Sequence, residues 1–527
     1  MVNVNQIDFE QQVCVIGAGI VGMTTALKLA DLGYRVVLVE SGTAQPDKDI
    51  QKLNEAIHDC DEHADPGMTR TRAVGGTLHQ WKIDLGRGGK AGRFLRFEEE
   101  DFHCGQDEAG MSWPISLNEL LPFYEEAHKI LGLGAIIQEE KVEAFEALLE
   151  EKSIQLESGR FSVVDYRDVM KEILKKIEDS EHITLLDELT VISLSKKKGA
   201  LKTLGFRKSC SGERFEADCT KLILAAGAIE NSRLLALMVD EQGETLLKNN
   251  RALGRYFMDH TYGPLLRVKF REGLSSSVLG EFDIHDFKGK EAIGYVCIPQ
   301  EVRRKKGLPN CALSIIPVNA GLASGISKEV KALLKGDLSK MKNVLTSLPL
   351  LLDFIRWKFF GYQNYSAGHI GWASQGFFPK EWMISGVVEQ LPDQENRIEL
   401  SGEKDRLNCE KIKFTWKWRP KDEEKLERLR THLIEEFQKI GCFEEVTPEY
   451  CGSYSGTHHH FGGTRMATEA DQGVVDINCQ VLGQEGLWVA GTSVFVTSGT
   501  ANPTLSGMAA ALYMVEKNFN KKTNEAA

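Results

Sequence analysis

The chain is predicted to adopt an α/β fold, α+β overall. A parallel sheet gathered from distant segments joins a second unit with a mainly antiparallel sheet. Three observations carry this. The chain opens with a strand, a glycine turn, a helix and a second strand, all within residues 13–39. Two further apolar runs that end in small residues, 222–227 and 487–491, lie far downstream. Between about 265 and 450 the pattern changes to short alternating stretches broken by charged turns, which suits an antiparallel sheet with one solvated face.

The first unit is the most legible. Val13, Cys14, Val15 and Ile16 form an uninterrupted apolar run, as in a strand buried on both faces. A helix is expected from about Val21 to Leu32, stopped by Gly33, followed by a second buried strand at 36–39. The turn reads Gly17-Ala18-Gly19-Ile20-Val21-Gly22, a G-x-G-x-x-G pattern. Gly17 permits the tight turn, Gly19 lets backbone approach a diphosphate, and Gly22 lets helix and strand pack closely. The free N–H groups of the helix start favour a phosphate. Glu40 ends the second strand, 23 positions after Gly17, where an acid accepts from a ribose. These signals in register predict a Rossmann-like dinucleotide site, without distinguishing one dinucleotide from another.

Further along, Ser116 and Glu119 have capping-box spacing ahead of a helix that Gly132 would stop. Another helix is expected over 422–440, with Leu426, Leu429, Leu433, Phe437 and Ile440 on one face and Gly441 at its end. Residues 389–400 and 411–418 read as strands of the second unit's sheet. An apolar stretch, 346–360, reads as a helix packed on that unit, with contact to a membrane surface or a bulky substrate as the minority alternative.

Composition narrows the function classes. Of 527 residues 42% are hydrophobic and 27% charged, an ordinary globular balance that 527 residues would divide between two large units. The net charge of −12, without a long basic run, argues against nucleic-acid binding. The eleven cysteines include no C-x-x-C pair, so neither a zinc cage nor a redox dithiol is expected, and a reduced, cytoplasmic setting is. No run of about eighteen uncharged apolar residues predicts a transmembrane helix. His458, His459 and His460 are consecutive and cannot all face one ion, so no metal is expected.

The C-terminal segment resembles the glucose–methanol–choline (GMC) oxidoreductase family. The resemblance rests on His460-Phe461-Gly462-Gly463-Thr464-Arg465-Met466, Gly473-Val474-Val475-Asp476, 486–495 and Ala501-Asn502-Pro503-Thr504-Leu505. Val74-Gly75-Gly76-Thr77, Trp113-Pro114-Ile115-Ser116, Ala225-Ala226-Gly227-Ala228-Ile229-Glu230 and Gly254 to His260 agree in order. Within the family the pattern looks most like the pyranose oxidase-like branch, because Gly491 stands where many members carry an acid. That branch can link its flavin to a His preceding a Trp. Here Trp81 aligns but Gln80 holds the His position, which implies noncovalent FAD.

The resemblance implies hydride transfer from an alcohol carbon to FAD, with His460 as base and Asn502 holding the alcohol oxygen. Asn502-Pro503 also reads as a helix start, so Asn502 could be a cap as well. The implied cofactor contacts are Gly17, Gly19, Ile20, Val21, Gly22, Glu40, Ser41, Gly75, Gly76, Thr77, His79, Val191, Ala226, Gly227, Gly491, Thr492, Pro503 and Thr504. Residues 1–130, 158–264 and 450–527 would form the FAD-binding domain, and 131–157 with 265–449 the substrate domain. The expected substrate is a small-molecule alcohol, a sugar or sugar-like secondary alcohol first, a primary or lipophilic alcohol second. The electron acceptor (oxygen, a quinone or a carrier protein) and the oligomeric state stay open.

Overall fold

The computed structural model describes residues 7–520 apart from 60–62, 81–82, 85–88, 104–111, 199, 201, 241, 246–249, 272–275, 318–332, 334–336, 338–340, 342–380 and 451–456. The stretch 346–360 and Trp81 lie outside the described residues.

The four apolar runs read from the sequence come together in one sheet. Its order is Leu487–Val489, Lys221–Leu224, Val13–Ile16, Val36–Val39 and Ile183–Leu186. Every pairing is parallel. All four residues of Val13–Ile16 and of Val36–Val39 are buried, as continuous apolar strands covered on both faces must be. The helix Ile20–Asp31 returns between the first two strands, and Gly33 follows it at φ +84°. The C-terminal helix Pro503–Phe519 packs on it and on Leu117–Ile130. The latter helix carries the expected capping box, with Ser116 N donating to Glu119 Oε2 at 2.9 Å.

The second unit is a seven-stranded sheet of Glu157–Ser162, Thr261–Phe270, His285–Phe287, Lys290–Cys297, Cys311–Pro317, Glu381–Val388 and Phe443–Pro448. All its pairings are antiparallel. The helix Pro420–Ile440 covers one face, burying Leu426, Leu429, Leu433, Phe437 and Ile440 against Trp382, Ile384 and Val268. Truncating one such leucine to alanine costs about 2–5 kcal/mol.

One expectation is corrected. Arg397–Lys404 and Glu410–Thr415 do pair antiparallel, but not within the large sheet. They form a three-stranded sheet with Ala56–Asp59, which runs parallel to Glu410–Thr415. The apolar side chains Ile398, Ile412 and Phe414 decide the matter, because they close over Ile229 and Phe257 beside the parallel sheet. Among the described residues no helix is long and apolar enough to cross a membrane.

Candidate active site

The glycine turn has the steric demands its pattern announces. Gly17 sits at φ +103°, and a Cβ there would fall 2.6 Å from Ala225 O. A Cβ on Gly22 would come within 1.8 Å of Gly17 O, so only glycine lets the helix start this close to the strand. Gly19 is different: it caps the helix without a side-chain bond, and a Cβ there would meet nothing within 4 Å. The first-turn N–H groups therefore face open space, as an anion site at a helix start requires.

That space is a cavity of about 1220 Å³, its open mouth included. Gly17, Gly19, Ile20, Val21, Glu40, Ser41, Gly76, Thr77, Val191, Ala226, Gly227, Gly491, Thr492, Pro503, Thr504 and His460 all line it. Gly22, Gly75 and His79 stand behind the lining. Gly75 N donates to Ala18 O at 2.8 Å and His79 Nε2 to Val74 O at 2.9 Å, so both fix the loop rather than the cavity wall. Glu40 also works on the loop. Its Oε2 accepts from Ala18 N at 2.9 Å, and its Oε1 accepts from Gly42 N at 2.8 Å and Ser41 Oγ at 3.1 Å. Burial pushes its carboxyl up, against those hydrogen bonds.

Sequence reasoning missed a cationic wall. Arg70, Arg72 and Glu230 line the same cavity. Glu230 Oε2 accepts from Arg72 at 3.0 Å and Arg70 at 3.3 Å, and Oε1 accepts from Arg233 at 2.7 Å. Burial would raise the Glu230 carboxyl, but the three guanidinium groups hold it well below the usual range. Burial in turn lowers Arg70 to about 10, Glu230 opposing. Three cations around one carboxylate, with Asp405 3.5 Å from Arg233, leave positive charge on the wall. Together with the uncapped helix start, this suits a dinucleotide with an anionic diphosphate, and FAD fits the donor set.

At the other end of the cavity stands His460. The loop carrying it is stitched to the start of the strand Thr261–Phe270: Met258 and Phe461 exchange backbone bonds at 3.0 Å in both directions. Thr492 Oγ1 donates to His460 O at 2.6 Å. Burial drives the imidazole down to about 3, Asp259 opposing and His63, Arg70 and His458 adding to the fall. His460 is thus a neutral imidazole. Its Nε2 is buried and has no hydrogen-bond partner.

Asn502 precedes the C-terminal helix but does not cap it with its side chain. Its Nδ2 donates to Gly92 O at 3.0 Å, leaving a buried Oδ1 without a partner. The cap reading of this residue is therefore corrected: the side chain turns to the Gly92 loop instead of the helix N–H groups. His460 lines the cavity and Asn502 stands just before the lining residues Pro503 and Thr504; both keep a buried polar atom that a ligand could complete.

Beneath His460 lies a buried histidine–carboxylate pair that the sequence did not reveal. His63 Nε2 donates to Asp259 Oδ2 at 2.9 Å, and His63 Nδ1 donates to Ala64 O at 2.7 Å. The His63 ring sits among Phe257, Phe414 and Trp416, with centroids 5.1–6.2 Å away, and 6.3 Å from the His460 ring. Asp259 Oδ1 accepts from His459 N at 2.9 Å and Thr457 Oγ1 at 3.2 Å. Burial would raise this carboxyl, but the His63 hydrogen bond and the charge of its neighbours hold it well below the usual range. Ligating-type atoms of His63, Asp259 and His460 come within 4.8 Å of one another. Both His63 nitrogens are already engaged, so the group is built as a hydrogen-bonded cluster. His260 completes the setting, with Nε2 donating to Ser498 O at 3.1 Å and Nδ1 taking the proton of His459 Nδ1 at 3.0 Å.

Comparison with known proteins agrees with this geometry. Residues 12–248 match the family model described as FAD dependent oxidoreductase, and residues 392–511 match that of GMC oxidoreductase. A 2-methyl-1,2-propanediol dehydrogenase from Mycolicibacterium austroafricanum is 28% identical over 150 residues. That match covers 24% of this chain and spans only 25% of the relative. Among solved structures, pyridoxine 4-oxidase from Mesorbium loti aligns over 96% of this chain and 99% of its own, at 16% identity and a TM-score of 0.57. A fungal aryl-alcohol oxidase aligns over 97% of this chain and 100% of its own, at 12% identity and a TM-score of 0.53. Both likenesses show the fold alone. The chain carries an FAD dependent oxidoreductase domain followed by a GMC oxidoreductase C-terminal domain, and FAD is its cofactor.

Proposed function

We propose that the protein oxidises the CH–OH group of a small-molecule alcohol, with His460 as base and Asn502 as the residue that holds the alcohol oxygen. The observation that carries this reading is the pair of buried, unpartnered atoms, His460 Nε2 and Asn502 Oδ1. Bound FAD supplies the acceptor for the hydride. The residues supply the rest. A neutral imidazole accepts the hydroxyl proton, and the carboxamide fixes the alcohol so that its C–H points one way. Gly17, Gly19 and the helix start would hold the diphosphate, with Arg70 and Arg72 adding positive charge to the wall. The start of the C-terminal helix lines the same cavity through Pro503 and Thr504, which supports a positive dipole end beside developing negative charge.

For the substrate, the Gly491 pattern of the pyranose oxidase-like branch favours a sugar or sugar-like secondary alcohol, with FAD held noncovalently. The relatives' names favour the wider class: a propanediol, pyridoxine and an aryl alcohol. A panel of sugars, diols and aromatic alcohols, mixed anaerobically with the yellow holoenzyme, separates these by flavin bleaching. H460A and N502A are expected to keep flavin and to lose bleaching rate by about 10²–10⁴-fold, the usual worth of a general base. Bleaching at the parental rate in both variants would refute the assignment.

A further inference from the structure

One half-buried cation beside the loop that holds Asn502 has no counter-charge among the described residues. Arg93 follows Gly92, whose carbonyl holds the Asn502 amide at 3.0 Å. Its backbone lies at φ +59°, a conformation few non-glycine residues adopt. Its Nη2 donates to Ser314 Oγ at 3.0 Å, and its guanidinium carbon stands 5.4 Å from the Tyr262 ring centroid. Its Nη1 is buried and has no hydrogen-bond partner. Among the described residues no carboxylate pairs with it. His260 and His459 lie near enough to feel its charge.

Holding Nη1 away from water without an anion is costly, and an anionic ligand would relieve that cost. The planar fork of arginine matches a carboxylate with two parallel hydrogen bonds. Tyr262 and Ser314 stand on neighbouring parts of the antiparallel sheet, in Thr261–Phe270 and Cys311–Pro317. They hold the cation in a fixed pose, as a recognition residue needs. We propose that Arg93 is a substrate-recognition residue for an alcohol that also bears a carboxylate, a hydroxy acid or sugar acid. The carboxylate docks on the free Nη1 edge while the hydroxyl lies between His460 and Asn502. This inference rests on the alcohol-oxidation reading for the second half of that statement only.

Two measurements on the holoenzyme test it. Titration with acetate and benzoate, followed by the flavin absorbance, reads carboxylate binding without turnover. The parent is expected to show a saturable spectral shift. R93M should weaken it by about 10- to 100-fold, the worth of a charge-assisted hydrogen bond, and R93K should fall between the two because it keeps the charge but not the fork. Anaerobic bleaching is then compared for matched pairs, glucose with glucuronate and 1,2-propanediol with lactate. The parent should favour the acid of a pair and R93M should lose that preference.

No shift with either carboxylate, or an equal shift in R93M, overturns the proposal even where neutral alcohols bleach the flavin. Carboxylate binding that depends on Arg93, with no alcohol of any kind bleaching, upholds it and refutes the alcohol reading instead. If R93M does not retain flavin, the parent against R93K decides: equal carboxylate affinity overturns the proposal.

Discussion

Replacing Asp259 with asparagine keeps the shape of the side chain and removes its charge, leaving the buried His63 ring without its carboxylate partner. Asp259 accepts from three groups: His63, the His459 N–H and the Thr457 hydroxyl. Breaking one member of a buried ion pair typically costs about 3–5 kcal/mol. Unfolding entropy near about 2.1 cal/mol/K per residue gives roughly 1.1 kcal/mol/K for 527 residues melting as a unit, so D259N should melt about 3–5 °C lower. The folded carboxyl lies below its unfolded value of about 3.9, so its contribution is fully present above that pH and fades as the pH falls below it. The gap between parent and variant should therefore close as the pH falls below that value. Because Asp259 also ties down the segment that presents His460, flavin reduction should slow by about 10²-fold, the cost of a misplaced reacting group. Melting followed by flavin fluorescence at several pH values, with stopped-flow bleaching, measures both. Equal melting temperatures and equal rates would refute the claim that this pair supports the site.

Other outcomes follow from the same geometry. G22A would push a methyl group to within 1.8 Å of Gly17 O, and the purified variant should be colourless; a flavin-to-protein ratio checks it. E230Q strips the carboxylate from among three guanidinium groups and should destabilise by about 3–5 kcal/mol, read as a lower holoenzyme melting temperature and faster flavin release. With the His460 imidazole held down to about 3, the rate of flavin bleaching should show no loss from its protonation between pH 8 and 5, and should fall only as pH nears that value. An inflection near pH 6.5 that H460A abolishes would contradict it.

The parallel sheet was legible because a strand covered on both faces is written as four consecutive apolar residues, and because a turn under a phosphate tolerates only glycine at fixed spacings. The helices were legible from one-sided leucine stripes and from Ser116 with Glu119. The assignment of 389–400 and 411–418 to the large sheet failed because alternation announces a strand but not its partner. The neighbour that decides, Ala56–Asp59, lies some 350 positions earlier. His63 was hidden for a related reason. It stands in the run Asp59-Cys60-Asp61-Glu62-His63-Ala64-Asp65, whose charges read as a solvated loop. Burial of a polar residue is set by what folds over it, here Phe414 and Trp416. Arg70, Arg72 and Arg93 escaped likewise, since a lone arginine in sequence reads as surface until the absence or presence of a counter-charge is seen.

The crevice that receives the flavin is bounded by the first strand of the chain and, on the far side of the sheet, by Leu487–Val489 and the helix Pro503–Phe519. Ile16 and Gly17 on one side and Ala490, Gly491, Pro503 and Thr504 on the other line it together, although they lie far apart along the chain. Walls joined by contacts of such long sequence separation favour slow folding, because loop-closure entropy is paid before those contacts form.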